Sequence, residues 1–406
     1  MQAPTNDEIA LLSDIKIRRT VAKNQPLVIR NRVFDDHFRL QGFTLEDTEF
    51  VNCDFFSSIM LDGLLVNVRF TNCLFVANRW TDGAWTNVQF KDCAWRGPFN
   101  MGPVMGEGKL RFEYCEFAGS TFEELGYGGK AEYFGSIGGT MGDVVYQNCK
   151  FERVYINGGV SLRILKCKFE EVVVTAQNNS KILLEDVDGK ELVEIGTFLG
   201  VFAKVHIRQC NFDSTVTLRG AKIELGLFED LVATLDLALV KATRIELRRV
   251  SFKGEAKPEV GLMYGLIAET AKIGSMVIED CTFVENGGAL NLQGDEDQRA
   301  IAARKQVIRD LENIYATVIG NLVIRNTPVN NGRFDYVEAK EVLFENLAVA
   351  GANFSHCKID RLLLRDVRLS GKIELAEADI RQKIIERVVD TSDWNVARQG
   401  VADRRS

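Results

Sequence analysis

"FTNCLFVANRWTDGAWTNVQFKDCAW" (residues 70–95) carries a large apolar side chain at every fifth position: Phe70, Phe75, Trp80, Trp85, Phe90 and Trp95. A helix repeats every ~3.6 residues and a strand every ~2, so neither period explains the spacing. Outward from this stretch the beat also includes Phe50, Phe55, Met60 and Leu65. Two residues before each large residue stands a smaller one: Thr48, Cys53, Ser58, Gly63, Val68, Cys73, Asn78, Gly83, Val88 and Cys93. Positions two apart on an extended segment point to the same side. Each pentad therefore sends one small and one large side chain inward and turns a corner with the rest. Four such sides close a coil of about 20 residues, and stacked coils pair as parallel strands roughly 4.8 Å apart.

The twenty-residue step continues beyond the five-residue beat. Rungs are read at Cys53, Cys73, Cys93, Cys115, Cys149, Cys167, Val187, Cys210, Leu231, Val250, Cys281, Thr327, Leu347 and Val367. Where the beat fades, the coils are expected to be less regular and three-sided. All nine cysteines share one frame, such as "NCDF", "NCLF" and "DCAW", with a bulky or branched apolar residue two positions on. They lack the paired spacing of metal ligands and read as small apolar core residues. A ladder of unpaired thiols suits a reducing compartment.

The small-x-large pentad resembles the pentapeptide-repeat family over about residues 43–95, with Cys or Val and Phe where that family usually has Ala and Leu. The resemblance implies an all-β solenoid, a right-handed parallel β-helix with coils of about 20 residues. It also implies a bacterial, non-catalytic protein-binding scaffold, serving as an effector, immunity or regulatory binder. A branch of the family mimics DNA and binds type II topoisomerases, which makes that an alternative. A β-helix glycan lyase or hydrolase is the other.

The expected organisation is an N-terminal cap over 1–30, a β-helix over 31–380 and a C-terminal cap and tail over 381–406. Thr5 and Glu8 have capping-box spacing ahead of Ile9, Leu11 and Leu12, which predicts a helical cap. Two long gaps in the rung spacing mark insertions, the places where a regular solenoid carries specific contacts. One, Gly-rich, covers residues 100–143 and offers Tyr127, Tyr133 and Phe134 as partner-binding residues; it lacks the Lys-Ser/Thr pair of a phosphate loop. The other covers 293–318, where Ile301, Val307, Ile308, Leu311, Ile314 and Val318 recur at helical spacing. This predicts an amphipathic helix presenting Arg304, Lys305, Arg309 and Tyr315 to a partner or to a second copy.

The net charge of −7 over 406 residues disfavours direct nucleic-acid binding, which calls for clustered cations. The three histidines, His37, His206 and His356, fall on distant rungs, so no nucleophilic group or metal cluster is expected, and no cofactor. "MQAPTNDEIALLSDIK" has no basic and apolar leader pattern and no segment is apolar enough to span a bilayer. A cytoplasmic location is the expectation, with a signal-less secretion route left open.

Overall fold

The computed structural model describes residues 27–395 except 36–38, 43, 82, 103–105, 120–134, 139–140, 177–179, 196–200, 254, 258–261, 285–287 and 293–315. The chain divides into two compact units, Met1–Gly196 with Gly200–Ser214, and Thr197–Leu199 with Thr215–Ser406. Each is a parallel β-solenoid with turns of about twenty residues.

In the first unit the opening pentads fold as short strands in four-sided coils. Asp54–Phe56, Ile59–Leu61, Leu64–Val66 and Arg69–Thr71 succeed one another around one coil. Each pairs in parallel with its equivalent twenty residues on: Phe55 with Phe75, Met60 with Trp80, Leu65 with Trp85, and Phe70 with Phe90. All twenty small and large positions read from Thr48 to Trp95 are buried.

Between sides, the backbone turns through one residue of positive φ. Asp47, Asn52, Ser57, Asp62, Asn67, Asn72 and Ala77, then Asn87 and Asp92, hold φ between 45° and 55°, five residues apart within each run. Asn and Asp tolerate this left-handed conformation better than other side chains. Equivalent corners also bond to each other from coil to coil. The Asn72 amide donates to Asn52 Oδ1 (2.8 Å), and the Asn67 amide to Asp47 Oδ1 (3.0 Å).

Because a residue stacks on its equivalent, the core is built of columns. Phe50, Phe70, Phe90, Phe112 and Tyr146 form one aromatic stack with centroids 4.7–4.9 Å apart. Phe34, Phe55, Phe75, Trp95, Phe117 and Phe151 form another at 4.5–4.9 Å. Each stacked pair adds about 0.5–1.5 kcal/mol beyond its buried area. The polar interior positions satisfy one another. Ser58 donates through N and Oγ to Asn78 Oδ1, Asn78 Nδ2 donates to the Phe55 carbonyl, and Trp80 Nε1 donates to Ser58 Oγ.

The rung residues also mark the coil-to-coil bonds. The carbonyls of Cys53, Cys73, Cys93, Cys115, Cys149, Cys167 and Val187 accept from Leu74, Ala94, Glu116, Lys150, Lys168, Asp188 and Asn211, each just past the next rung. The step from Cys115 to Cys149 thus re-enters in register despite its length. All nine cysteines are buried and free. Several Sγ–H groups donate to backbone carbonyls, for instance Cys73 to Thr71 at 3.4 Å and Cys281 to Glu279 at 3.3 Å.

The second unit keeps the step but changes the coil. In its later coils the left-handed corners fall at Asn326, Asn331 and Tyr336, then Asn346, Gly351 and His356. That is three corners per turn, and the long strands Val337–Asn353 and Lys358–Glu374 run through the position of the fourth. Cys281 meets Thr327 across the longer gap, its amide donating to Thr327 Oγ1 at 3.0 Å.

The expected helices are corrected. No helix occurs among the described residues, which form strands, turns and corners. Leu27–Arg30, assigned to the helical cap, is a strand paired with Thr48–Val51. Thr317 and Val318, assigned to the helical insertion, open the strand Thr317–Arg325, where Val318 pairs with Lys272. The backbone groups of these residues complete the coil's ladder: Leu27 N–H donates to the Asp47 carbonyl and Val318 N–H to the Ala271 carbonyl. That pairing outweighs a local apolar spacing of three and four. The rest of both ranges lies outside the described residues.

Replacing Phe70, fully buried between two stacked rings, by Ala is expected to cost about 3–5 kcal/mol. Phe56→Ala, at an outward position exposed to 37%, should stay within about 0.5 kcal/mol. Equilibrium urea unfolding of both variants checks the column, and equal losses would contradict it. A second test uses pH. Burial pushes the Cys281 thiol up to about 11, and the Cys210 and Cys357 thiols up to about 12. A raised folded value means that stability is intact below the unfolded thiol's ~8.5 and is lost as pH climbs toward 11–12. The slope is about 1.4 kcal/mol per pH unit for each thiol. Denaturation midpoints measured from pH 8 to 10 should fall; a flat profile would argue against sealed thiols.

Candidate anion-binding face

The seven residues offered as partner contacts, Tyr127, Tyr133, Phe134, Arg304, Lys305, Arg309 and Tyr315, all lie outside the described residues, as does His37. His206 sits in the strand Val201–Arg208 of the first unit. In the second unit His356 occupies a left-handed corner, its Nδ1 3.1 Å from Glu377 and its ring stacked on Tyr336 at 4.7 Å. Among the described residues no group of three or more His, Cys, Asp or Glu could hold a metal ion.

What the structure adds is the outer face of the second unit. Stacking equivalents on equivalents favours an apolar core but is unfavourable for charge, since like charges placed directly opposite repel. One exterior column resolves this by alternation. Glu229, Arg248, Glu279, Arg325, Glu345, Arg365 and Glu386 pair in succession through seven strands. Glu345 lies 2.6 Å from Arg325 and 2.9 Å from Arg365, and Arg365 reaches Glu386 at 2.8 Å. The hydrogen bond from Arg365, then that from Arg325, holds the Glu345 carboxyl below its ordinary range. No continuous acidic stripe runs along this column, and a DNA-like charge pattern would need one.

A second exterior column breaks the rule. Lys222 pairs with Lys241 and Lys241 with Lys272. The register is fixed by the backbone, Lys241 N–H donating to the Ala221 carbonyl (2.9 Å) and Lys272 N–H to the Val240 carbonyl (2.8 Å). The backbones of the three lysines follow one another at one coil's spacing, about 4.8 Å. None of the three has an ion-pair or hydrogen-bond partner among the described residues. Lys222 and Lys241 are exposed and Lys272 half-buried. Farther along, the column passes Val318 and returns to opposite charges, with Lys358 Nζ 3.0 Å from Glu338. The carboxylate nearest in sequence is Glu224, two residues beyond Lys222 on the first rung of the ladder.

Two residues past this column stand Glu224, Thr243, Gly274 and Gly320, which the coil-to-coil pairing skips. The last two positions admit no side chain. A Cβ on Gly274 would lie 2.7 Å from the Thr243 carbonyl oxygen, and one on Gly320 would collide with the Gly274 carbonyl. Bare backbone therefore lies beside Lys272. One residue farther on stand Arg244, Ser275 and Asn321, stacked in register. Arg244 binds Glu246 at 2.6 Å, whereas the Ser275 hydroxyl and the Asn321 amide have no partner among the described residues. The face thus offers a row of uncompensated cations and, beside Lys272, the exposed backbone of Gly274 and the free Ser275 hydroxyl, with the free Asn321 amide one rung on.

Sequence reasoning passed over this face because "KIEL", "KATR" and "KIGS" each read as an ordinary solvated strand start. Only register brings the three lysines together. The signal was their equivalent place ahead of the rung residues Leu231, Val250 and Cys281.

Restoring alternation should stabilise the fold. Lys241→Glu would place a carboxylate between Lys222 and Lys272 and is expected to add about 0.5–1 kcal/mol, read as a rise in the urea midpoint that shrinks in high salt. A loss of stability would show that the lysines are already compensated.

No helix among the described residues is long and apolar enough to cross a membrane. No family model matches the chain, and a search of curated proteins finds no match. Among solved structures, a mannuronic-acid-specific polysaccharide family 6 lyase from human gut microbiota aligns at 8% identity over 89% of this chain and 86% of its own, with a TM-score of 0.31. A PL6 alginate lyase in complex with a trisaccharide aligns at 10% identity, covering 100% and 88%, with a TM-score of 0.29. The alginate lyase AlyF-OU02 with G6 aligns at 9% identity, covering 93% and 85%, also with a TM-score of 0.29. Likeness at this level leaves the chemistry of this chain to be read from its own residues.

Proposed function

We propose that this protein is a binding solenoid that holds an extended polyanion along the outer face of its second unit. The observation that carries the reading is the run Lys222–Lys241–Lys272 with no carboxylate partner, on strands whose Glu229–Glu386 column alternates in sign throughout. Neighbouring ammonium groups at this separation repel by about 1 kcal/mol even in water, and a ligand with regularly spaced anions would relieve that. The expected role as a scaffold for a protein partner rests on residues outside the described part, so no geometry supports it. Alternation along the Glu229–Glu386 column disfavours mimicry of DNA.

Fluorescence polarisation with labelled polyphosphate, polyuronate and polyglutamate at low salt tests the reading. The wild type should bind at least one of them, with affinity falling as salt rises. Lys241→Glu should weaken that binding by about tenfold or more, equivalent to ~1.4 kcal/mol. Because this variant is expected to be the more stable one, a loss of binding cannot be ascribed to unfolding. A wild type that binds none of the three polymers ends the reading. Absorbance from unsaturated sugar products in the polyuronate mixtures would extend it from binding to cleavage.

A further inference from the structure

Resting on that reading, we infer that the ligand is an acidic polysaccharide with one carboxylate on each sugar. Three features of the face select this class. The first is period. The lysines repeat once per coil along a straight line, at about 4.8 Å, close to the length of one sugar in an extended chain. Duplex DNA presents a charge every ~1.7 Å of axis, or ~3.4 Å on each strand, and its strands wind away from a straight row. The second is the pair Ser275 and Asn321, whose side chains are unpartnered; Ser275 shares the strand of Lys272, and Asn321 stands on the next rung beside Val318. A sugar's hydroxyls can both donate to and accept from such groups, whereas a phosphate polymer can only accept from them. The third is the exposed backbone at Gly274, which carries no side chain to hold a ring off the strand beside Lys272. No aromatic side chain occurs in these columns to stack on nucleobases, the usual device for single-stranded nucleic acids.

The geometry also sets a length. Three lysines match three consecutive charged sugars, so affinity should climb with oligomer size and then level off.

Isothermal titration of the full-length protein would use uronate oligomers of two, four and six sugars, a neutral glycan of the same linkage, inorganic polyphosphate and a single-stranded DNA oligomer. The expected result is a gain of about tenfold or more from two to four sugars, little gain from four to six, and no binding of the neutral glycan. The double variant Ser275→Ala/Asn321→Ala should weaken uronate binding by about threefold or more and leave polyphosphate unchanged. If polyphosphate or DNA binds as tightly as the uronates and the double variant changes nothing, the sugar assignment is overturned while the polyanion-binding face stands. If no anion binds, or binding ignores Lys241→Glu, both fall together.

Discussion

Every part of this molecule depends on the hydrogen bonds that run from one coil to the next. They hold each residue over its equivalent, so the side chain most often met is one of the same structural role. For apolar groups this is an advantage, and the aromatic columns through Phe50–Tyr146 and Phe34–Phe151 are the result. For corner residues it is also an advantage, since an Asn amide can donate to the Asn or Asp one coil away. Charged exterior residues face the opposite situation, and their columns must alternate or leave charge uncompensated. The Glu229–Glu386 column does the first and Lys222–Lys272 the second.

Much of this was legible in the sequence. The five-residue beat placed the inward residues from Thr48 to Trp95, and the cysteine frame placed the rungs, including the re-entries at Cys149 and Thr327. The corners were present too, as the Asn or Asp that precedes the cysteine in "NCDF", "NCLF" and "DCAW"; the burial pattern drew the eye to the cysteine instead. A change to three-sided coils was expected where the beat fades, but which corner is lost was not legible, because Val337–Asn353 keeps the alternation of a strand where a corner was due. The helical expectation at Val318 failed for a related reason. A spacing of three and four is a local signal, and a ladder partner such as Lys272 is not visible locally.

The candidate face was illegible for a different cause. Lys222, Lys241 and Lys272 are separated by 19 and 31 residues, and only the second interval is irregular enough to hide the match. Like charges three deep become apparent once the register is known. Composition pointed the other way, since a net charge of −7 says nothing about where cations gather.

The bond from Cys281 to Thr327, 46 residues apart in sequence, has an evolutionary consequence. A coil junction is satisfied by the residues on either side of it, whatever length of chain is spliced between. Loop closure grows only with the logarithm of length, roughly 0.6 kcal/mol for each doubling. Descendants of this chain can therefore acquire or discard long surface segments at a corner while the core beneath is inherited unchanged, so that lineages sharing one interior come to differ in what they display.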